Sequence, residues 1–166
     1  SDIDLLYQTC PRARYIGITG TNGKSTTTAL VGHIMKATEG QYVQIGGNIG
    51  NSALTLEPFS EQGRYVLEIS SFQLELLQKI NFHVAILLNI TPDHLDRYPD
   101  YADYATTKLK IFELQTEADY AVISIDHPDT AKAYQALVAR KKQNVIPIST
   151  KKQAKGGISV TGNILT

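Results

Sequence analysis

Short apolar segments alternate with longer amphipathic segments along most of this chain. The apolar segments are bounded by turn residues and have the length of strands, and they span residues 15–19, 42–45, 64–69, 83–89, 119–124 and 145–148. The segments between them have helical spacing and span residues 24–38, 52–57, 72–79, 101–115 and 130–141. Strands that alternate with helices predict an α/β fold, in which a mostly parallel sheet carries helices on both faces.

The two ends of the chain depart from this pattern. Residues 1–14 have no clear place in the sheet, and we expect them to be the end of a preceding domain or a linker. We expect the central domain to occupy residues 15–150. In residues 151–166, Gly162 and Asn163 separate two short apolar segments, which predicts a short C-terminal hairpin of the same domain. Both ends resemble the edges of a larger protein.

The composition is that of a globular protein with balanced charge. Hydrophobic residues make up 42% of the chain, and 16 Lys and Arg residues balance 16 Asp and Glu residues. Because duplex binding requires a basic surface, we expect no nucleic-acid partner. The longest apolar stretch, residues 84–88, is far below the roughly 20 residues of a membrane-spanning helix, so we expect no membrane partner. The single cysteine, Cys10, fits a reducing compartment and predicts a cytoplasmic protein.

A glycine-rich loop follows the first predicted strand. It consists of Gly20, Thr21, Asn22, Gly23, Lys24, Ser25 and Thr26. The apolar helical pattern after it runs through Ala29, Leu30, Ile34 and Met35. Glycines let backbone N–H groups surround phosphate oxygens, the helix start adds a positive dipole, Lys24 can reach the outer phosphates, and the Ser25 hydroxyl can coordinate Mg²⁺. The order of strand, loop and helix predicts a P-loop nucleotide site; the alternative is a glycine-rich turn with a solvated lysine.

The loop departs from the strict P-loop spacing, because Ile18 stands where the first glycine is expected. Ser25 and the threonines after it form poor helix-interior composition, but they suit a first turn that binds phosphate and metal. The guanine signature Asn-Lys-x-Asp does not occur later in the sequence, since Asn89 is followed by Ile90. We therefore expect ATP and disfavour a GTPase.

Five motifs follow one another in the order typical of Mur ligases, and the chain resembles the central domain of that family. The motifs are residues 20–25, 46–50, 67–75, 89–98 and 104–109. The resemblance implies a three-domain ATP-dependent ligase, in which this domain lies between a UDP-binding domain and a domain that brings the incoming amino acid. Residues 70–73 and 96–98 resemble the members that attach D-glutamate.

Two acidic or histidine side chains lie at or after the ends of predicted strands, at the sheet edge where ligands bind in α/β proteins. Glu68 ends an apolar run, where P-loop enzymes place an acid for Mg²⁺, and His94 lies in a loop with Asp93 and Asp96. The resemblance implies that Ser25 and Glu68 hold the Mg²⁺ of ATP and that His94 binds a second Mg²⁺. The alternative for Glu68 is a solvated acid at a strand end. The remaining histidines, which we expect in core or surface roles, are His33, His83 and His127.

Lys108 lies on the same stripe of its predicted helix as Tyr101, Tyr104 and Ile111. A semi-apolar environment favours the neutral form of the amine, which is the form that reacts with CO₂. The alternative is a lysine whose stem passes apolar neighbours to reach water. The resemblance implies a carbamylated Lys108 that supplies an anionic ligand to the second Mg²⁺. It therefore implies that Lys24, His94 and Lys108 are catalytic.

The resemblance also implies substrate-binding residues. Asn48 follows a predicted strand among glycines and corresponds to a residue that holds the muramoyl substrate; a turn-forming asparagine is the alternative. Ser71 and Gln73 are candidates of the same kind. Residues 124–127 replace the Asn-x-Asp-Asp segment with which many family members contact adenine, so His127 is a candidate that would stack on the base.

The implied reaction joins D-glutamate to UDP-N-acetylmuramoyl-L-alanine through an acyl phosphate, in the synthesis of a peptidoglycan precursor. We expect both substrates to be held by flanking domains, so this chain alone should not catalyse ligation. Folylpolyglutamate synthase and the other Mur ligases are alternatives within the class. A non-catalytic P-loop switch is the alternative from another class, and it would need Lys24 and Glu68 but not His94 and Lys108.

Overall fold

The computed structural model describes residues 1–94 and 96–166 and contains a sheet of eight strands. The strands are β1 (Arg14–Thr19), β2 (Val43–Gly47), β3 (Arg64–Glu68), β4 (Val84–Leu87), β5 (Tyr120–Ser124), β6 (Asn144–Ser149), β7 (Ile158–Thr161) and β8 (Ile164–Leu165). Their spatial order is β2-β3-β1-β4-β5-β6-β7-β8, and all neighbours are parallel except β7 and β8. The predicted mostly parallel α/β sheet is confirmed.

The strand order reverses its direction between β1 and β4. The chain leaves β1 toward β2 on one side, and after β3 it crosses to β4 on the other side. The segments that follow β1 and β4 therefore diverge and leave a crevice at the carboxyl edge of the sheet, where doubly wound proteins bind ligands. The glycine loop follows β1, so the topology places it in this crevice.

Within the described residues, five α-helices connect or precede the strands. They are α1 (Asp2–Thr9), α2 (Lys24–Glu39), α3 (Ser71–Leu76), α4 (Tyr101–Leu109) and α5 (Pro128–Arg140). The helix predicted over residues 52–57 is wrong: only a 3₁₀ turn, Ala53–Thr55, forms there, because Pro58 and the extended Leu56 leave no room for a second turn. The helix predicted over residues 101–115 ends at Leu109 and continues as a 3₁₀ turn, Lys110–Phe112.

Helix α1 belongs to the packed structure, although no helix was predicted for residues 1–14. Ile3 and Leu6 are buried in the main core. The Asp4 carboxylate accepts hydrogen bonds from the backbone N–H groups of Gln78, Lys79 and Ile80 at 3.0–3.1 Å. These bonds hold the chain in a non-helical path after α3, which explains why α3 is shorter than the predicted helix over residues 72–79.

Helix α2 covers one face of the sheet with small and β-branched residues. Its buried positions are Thr28 and Gly32, while Val31 and Met35 pack on Ile16, Ile18, Val43 and Val66 of the sheet. A Cβ atom at Gly32 would lie 2.3 Å from Ile45 Cδ1, so glycine permits this close approach. Leu30 and Ile34, part of the predicted apolar pattern, are instead 56% and 54% exposed.

The predicted C-terminal hairpin is confirmed, and it extends the main sheet. Strand β7 pairs in parallel with β6 through Ile148 and Ile158, and antiparallel with β8 through Val160 and Leu165. Gly162 has φ of 63°, a left-handed conformation that glycine adopts without strain, in the turn between β7 and β8. Among the described residues, none of the helices has the length and apolar character that a membrane span requires.

Candidate functional site

The glycine loop leads from the end of β1 into the first turn of α2. Gly23 is the residue before the helix and has φ of 82°, so its left-handed conformation turns the chain into α2. Ser25 and Thr26 are exposed in the first helical turn, which contains no acidic residue. The free N–H groups and dipole of this 16-residue helix therefore face the crevice without a negative side chain in the same turn.

Gly17, which precedes the glycine loop, has a packing role. This glycine lies within β1, and a Cβ atom at its position would be only 2.7 Å from the Phe82 ring. It is therefore a packing position, and the phosphate loop contains only Gly20 and Gly23.

Lys24 is folded back onto its own loop. Its Nζ donates hydrogen bonds to the carbonyl oxygens of Gly20 at 3.0 Å and of Thr21 at 2.9 Å. The side chain is partly exposed, so it can leave these carbonyls for an anion in the crevice.

Lys108 reaches the same loop from α4. It is 2% exposed, its Nζ donates to the Gly20 carbonyl oxygen at 3.0 Å, and the Tyr104 ring centre lies 4.7 Å from Nζ. Burial, and next the positive charge of Lys24, lower the pKa of Lys108 to about 8, while Asp93 opposes this shift. The predicted exposed alternative for Lys108 is therefore wrong, because this amine is enclosed between the loop and the Tyr104 ring.

Glu68 and Asn48, predicted for metal and for substrate, contact each other. Glu68 is 2% exposed at the end of β3, and its Oε1 accepts a hydrogen bond from Asn48 Nδ2 at 2.9 Å. The Asn48 N–H also donates to the Glu68 carbonyl oxygen at 2.9 Å. Among the described residues, the buried Glu68 Oε2 has no hydrogen-bond partner. A buried carboxylate oxygen without a partner is suited to bind a cation or accept a hydrogen bond.

His94 lies in the loop after β4 in a constrained conformation. Its φ is 52°, its N–H donates to Asp93 Oδ1 at 2.9 Å, and its Nε2 lies 3.6 Å from Asp93 Oδ2. The Phe72 ring centre is 5.1 Å from the imidazole centre, and the Tyr104 ring centre is 6.2 Å away. The imidazole is 46% exposed, so it is accessible from solvent.

The structure gives Gln73 a local structural contact. Its Oε1 accepts hydrogen bonds from the N–H and the hydroxyl of Ser70, and the Gln73 N–H donates to Ser70 Oγ in return. This reciprocal capping fixes the start of α3. Ser71 is buried in the same turn. Substrate roles for these two residues remain predictions.

Several polar residues that contact the loop were not predicted as site residues from the sequence. Asn89 and Thr91 follow β4 and bond to Asn22 and Thr21 of the loop, and the Tyr104 hydroxyl lies 3.1 Å from Thr21 Oγ1. For Asn89 and Thr91 the available signal was their position soon after β4, since the carboxyl edge of the sheet collects ligand-binding groups.

A cavity of about 540 Å³ opens beside the loop. Its lining includes the loop residue Asn22, the polar residues Asp126 and His127, and the apolar residues Leu88, Ile148 and Val160. Asp126 is occupied, because its carboxylate accepts hydrogen bonds from the Ser149 hydroxyl and from the N–H and hydroxyl of Thr150. Burial raises the pKa of Asp126, but these bonds outweigh it and hold the pKa below the usual value.

The predicted metal-binding residues do not form a cluster of acidic, histidine or cysteine side chains. Within residues 1–94 and 96–166, no group of three or more such side chains is close enough to hold a metal ion. The predicted set consists of Ser25, Glu68, His94 and Lys108, of which only two belong to these residue types. Metal binding at this edge would need a serine hydroxyl, a modified lysine or a bound anion as additional ligands.

The sequence profile of the Mur ligase middle domain matches residues 18–163. The UDP-N-acetylmuramoylalanine–D-glutamate ligase of Rickettsia prowazekii is 48% identical over 160 residues, which are 96% of this chain and 35% of that protein. The ligase of the same name from Rhodospirillum rubrum is 45% identical over 165 residues, 99% of this chain and 34% of that protein. The chain thus spans about a third of the length of the curated relatives it matches.

The fold is also similar to that of solved structures. The crystal structure of MurF ligase from Thermotoga maritima in complex with ADP superposes with a TM-score of 0.71 at 22% identity, covering 91% of this chain and 36% of that one. At this identity the likeness concerns the fold alone.

Proposed function

We propose, because this chain belongs to the Mur ligase family as a middle domain, that it is the ATP-binding domain of a ligase that adds D-glutamate to UDP-N-acetylmuramoyl-L-alanine. The observation that carries the proposal is the glycine loop, on which Lys24 and the buried Lys108 converge at the open start of α2. The relatives named as D-glutamate ligases support this choice within the family. A cytoplasmic location is part of the proposal.

The nucleotide would lie along the crevice with its phosphates at the start of α2. The N–H groups of the first helical turn and Lys24 would bind the phosphates, as the geometry of the loop favours. The base would enter the cavity of about 540 Å³, whose apolar residues suit an aromatic ring. Since Asp126 is occupied by Ser149 and Thr150, His127 is the better candidate for contact with adenine.

Glu68 at the end of β3 and Ser25 in the first turn of α2 fit the Mg²⁺ that accompanies ATP. Glu68 offers the unpartnered oxygen Oε2, and Ser25 offers an exposed hydroxyl at the helix start. Oxygen ligands of this kind are those that Mg²⁺ prefers. Bound there, Mg²⁺ would neutralise charge on the phosphates. His94, held by Asp93 and Phe72, is the candidate ligand of a second ion.

Lys108 would act as a carbamate in the whole enzyme. Its amine would add to CO₂ to give Nζ–COO⁻ and release one proton. Burial and the nearby Lys24 favour the neutral amine that this addition needs, because they lower the pKa of Lys108 to about 8. The carbamate retains one N–H, so Lys108 can keep its hydrogen bond to the Gly20 carbonyl oxygen while it presents an anionic group to a cation beside His94.

The reaction transfers the γ-phosphoryl group of ATP to the carboxylate of UDP-N-acetylmuramoyl-L-alanine. The D-glutamate amine then attacks the acyl carbon, loses a proton, and expels phosphate, which leaves ADP, phosphate and the new amide. Transfer between two anions needs concentrated positive charge. Lys24 and the start of α2 supply that charge at one end of the crevice. Asn48, Ser71 and Gln73 are proposed to contact the muramoyl substrate, and the flanking domains to hold the uridine and the glutamate.

Calorimetric titration of the chain with Mg·ATP and Mg·GTP tests the nucleotide assignment. We expect weak binding of ATP and weaker binding of GTP, since the guanine signature is missing from the sequence. Absence of ATP binding would contradict the assignment. A thermal-shift comparison of UDP-N-acetylmuramoyl-L-alanine with a folate on the complete protein separates a Mur ligase from a folylpolyglutamate synthase. Only the muramoyl substrate should raise the melting temperature.

A further inference from the structure

Asn89 bonds to the phosphate loop through both its side chain and its backbone. Its Oδ1 accepts from the Asn22 N–H at 2.8 Å, and its Nδ2 donates to the Asn22 carbonyl oxygen at 3.0 Å. Its own carbonyl oxygen accepts from the Thr21 N–H at 3.1 Å. We propose that Asn89 is a positioning residue, which holds Thr21 and Asn22 of the phosphate loop in the conformation that nucleotide binding needs. The inference rests on the proposed nucleotide function of the loop.

These bonds continue the sheet beyond the ends of two strands. The β1–β4 pairing ends at Thr19 and Leu87, and the Leu88 N–H then donates to the Thr19 carbonyl oxygen at 3.0 Å. Past this point the glycine loop turns away from the strand direction. The Asn89 carboxamide has the same donor and acceptor groups as a peptide unit, so it pairs with Asn22 as another strand residue would.

Asn89 matters most when Lys24 leaves the loop. Lys24 Nζ donates hydrogen bonds to the carbonyl oxygens of Gly20 and Thr21. A lysine that turns toward phosphate gives up these bonds, and the contacts with Asn89 then remain to support the exposed Asn22. Because the Asn22 N–H is engaged by Oδ1, the backbone donors for phosphate would begin at Gly23 and the start of α2.

The segment that begins at Asn89 also leads to the candidate metal-binding loop. Thr91 N–H donates to Thr21 Oγ1 at 3.0 Å, and Thr21 Oγ1 donates to the Thr91 carbonyl oxygen at 3.1 Å. Asp93 and His94 follow two and three residues later. The loop that holds phosphate and the loop that presents His94 are therefore joined at Asn89 and Thr91.

Amide hydrogen exchange measured by NMR on the nucleotide-free chain tests the contact itself. Asn89→Ala should lower the protection of the Asn22 N–H by about tenfold or more, with little change at amides in β5 and β6. Asn89→Asp has the same size and keeps an acceptor for this N–H, so protection should fall less. Gln62→Glu makes the same chemical change in an exposed loop at the opposite edge of the sheet and is the matched control. Unchanged Asn22 protection in folded Asn89→Ala would overturn the proposal.

Calorimetry with Mg·ATP tests the consequence for binding. Asn89→Ala should raise the Kd about tenfold, as expected when two hydrogen bonds that order a loop are lost. Asn89→Asp should raise the Kd as well, because it loses the donor to the Asn22 carbonyl oxygen, and Gln62→Glu should not. Wild-type Kd in either folded variant would overturn the positioning role, and so would loss of Asn22 protection when ATP binds to the wild type. If the wild type fails to bind ATP, the proposed function fails, whereas the exchange data still decide whether Asn89 holds the loop.

Discussion

Lys24 and Lys108 donate to the same acceptor, the carbonyl oxygen of Gly20, each at 3.0 Å. Two positive charges at one carbonyl oxygen repel each other, and this repulsion adds to burial in lowering the pKa of Lys108. An anion in the crevice would attract Lys24 away and leave Gly20 to Lys108. The state of the loop and the charge on Lys108 are therefore physically linked.

Lys24→Ala should abolish measurable binding of Mg·ATP while the fold stays intact. The loss of a charge-assisted bond to phosphate costs about 1.5–3 kcal/mol, and the hydrogen bonds that Lys24 makes to the described residues go to carbonyl oxygens of its own loop. Calorimetric titration measures the loss of ATP binding, and thermal melts show whether the fold is intact. Lys36→Ala, exposed in the last turn of the same helix, is the control. Equal ATP affinity in wild type and Lys24→Ala would exclude the phosphate role of the loop.

Lys108→Ala should remove ligation by the complete protein, and acetate or formate should restore part of it. A short carboxylate can occupy the space that a carbamate would fill, whereas it cannot replace an ammonium group. The test compares initial ligation rates of wild type and Lys108→Ala. The rates are measured with and without added carboxylate, in buffers with and without CO₂. Lys110→Ala removes an exposed lysine two residues away and should change neither rate. Near-normal ligation by Lys108→Ala without CO₂ would show that the carbamate role is wrong.

Stability should fall as the pH decreases from about 7.5 to about 5.5, in part because of His83. Its Nδ1 accepts a hydrogen bond from the Tyr15 N–H at 3.2 Å, and burial is the main cause that lowers the pKa of His83 below its usual value. In this range the unfolded state binds more protons than the folded state, so protonation favours unfolding below the unfolded pKa of about 6.5. Urea unfolding at several pH values gives the free energy of unfolding as a function of pH. This free energy should fall less steeply with decreasing pH for His83→Gln than for wild type. An unchanged slope, or the same change in the exposed control His33→Gln, would reject this role.

Asp4→Asn should destabilise the fold by about 1–3 kcal/mol, because a neutral amide cannot replace a carboxylate that accepts three backbone N–H groups. Burial raises the pKa of Asp4, but the three N–H donors outweigh it and keep the pKa below its usual value. The stabilisation is therefore present above about pH 4 and is lost as the pH falls through the folded pKa. Chemical denaturation at pH 7 measures it. Asp2→Asn, in the same helical turn, should have a smaller effect; equal effects would contradict the anchoring role of Asp4.

Local patterns predicted the parts of the site that are continuous in sequence. The strand before Gly20, the glycine loop and α2 follow one another directly, so spacing and composition were sufficient. The sheet rule also indicated the carboxyl edge of the sheet for both residues, and the structure has Glu68 at the end of β3 and His94 in the loop that follows β4. The hydrophobic pattern failed on the faces of α2, because Thr28 and Gly32 are buried for close packing while Leu30 and Ile34 are exposed.

Contacts between distant segments could not be predicted from the sequence. Asp4 binds backbone groups 74 to 76 residues away, and Asn89 binds Asn22 across 67 residues. Both contacts depend on backbone N–H and carbonyl groups, which every residue carries and which leave no signature in side-chain composition. Glu68 was singled out at the end of a strand and Asn48 through the family resemblance, but their mutual hydrogen bond appears only when β2 and β3 pair.

Ligation by the complete protein tests the central claim most directly. The protein would be incubated with Mg·ATP, UDP-N-acetylmuramoyl-L-alanine and either D-glutamate or L-glutamate, and the products identified by mass spectrometry. We predict the dipeptide product, with matching ADP and phosphate, from D-glutamate with the wild type, and none with Lys24→Ala or with the 166-residue chain alone. A complete wild-type protein that binds ATP but forms no D-glutamate product, or product formation by the chain alone, would contradict the account.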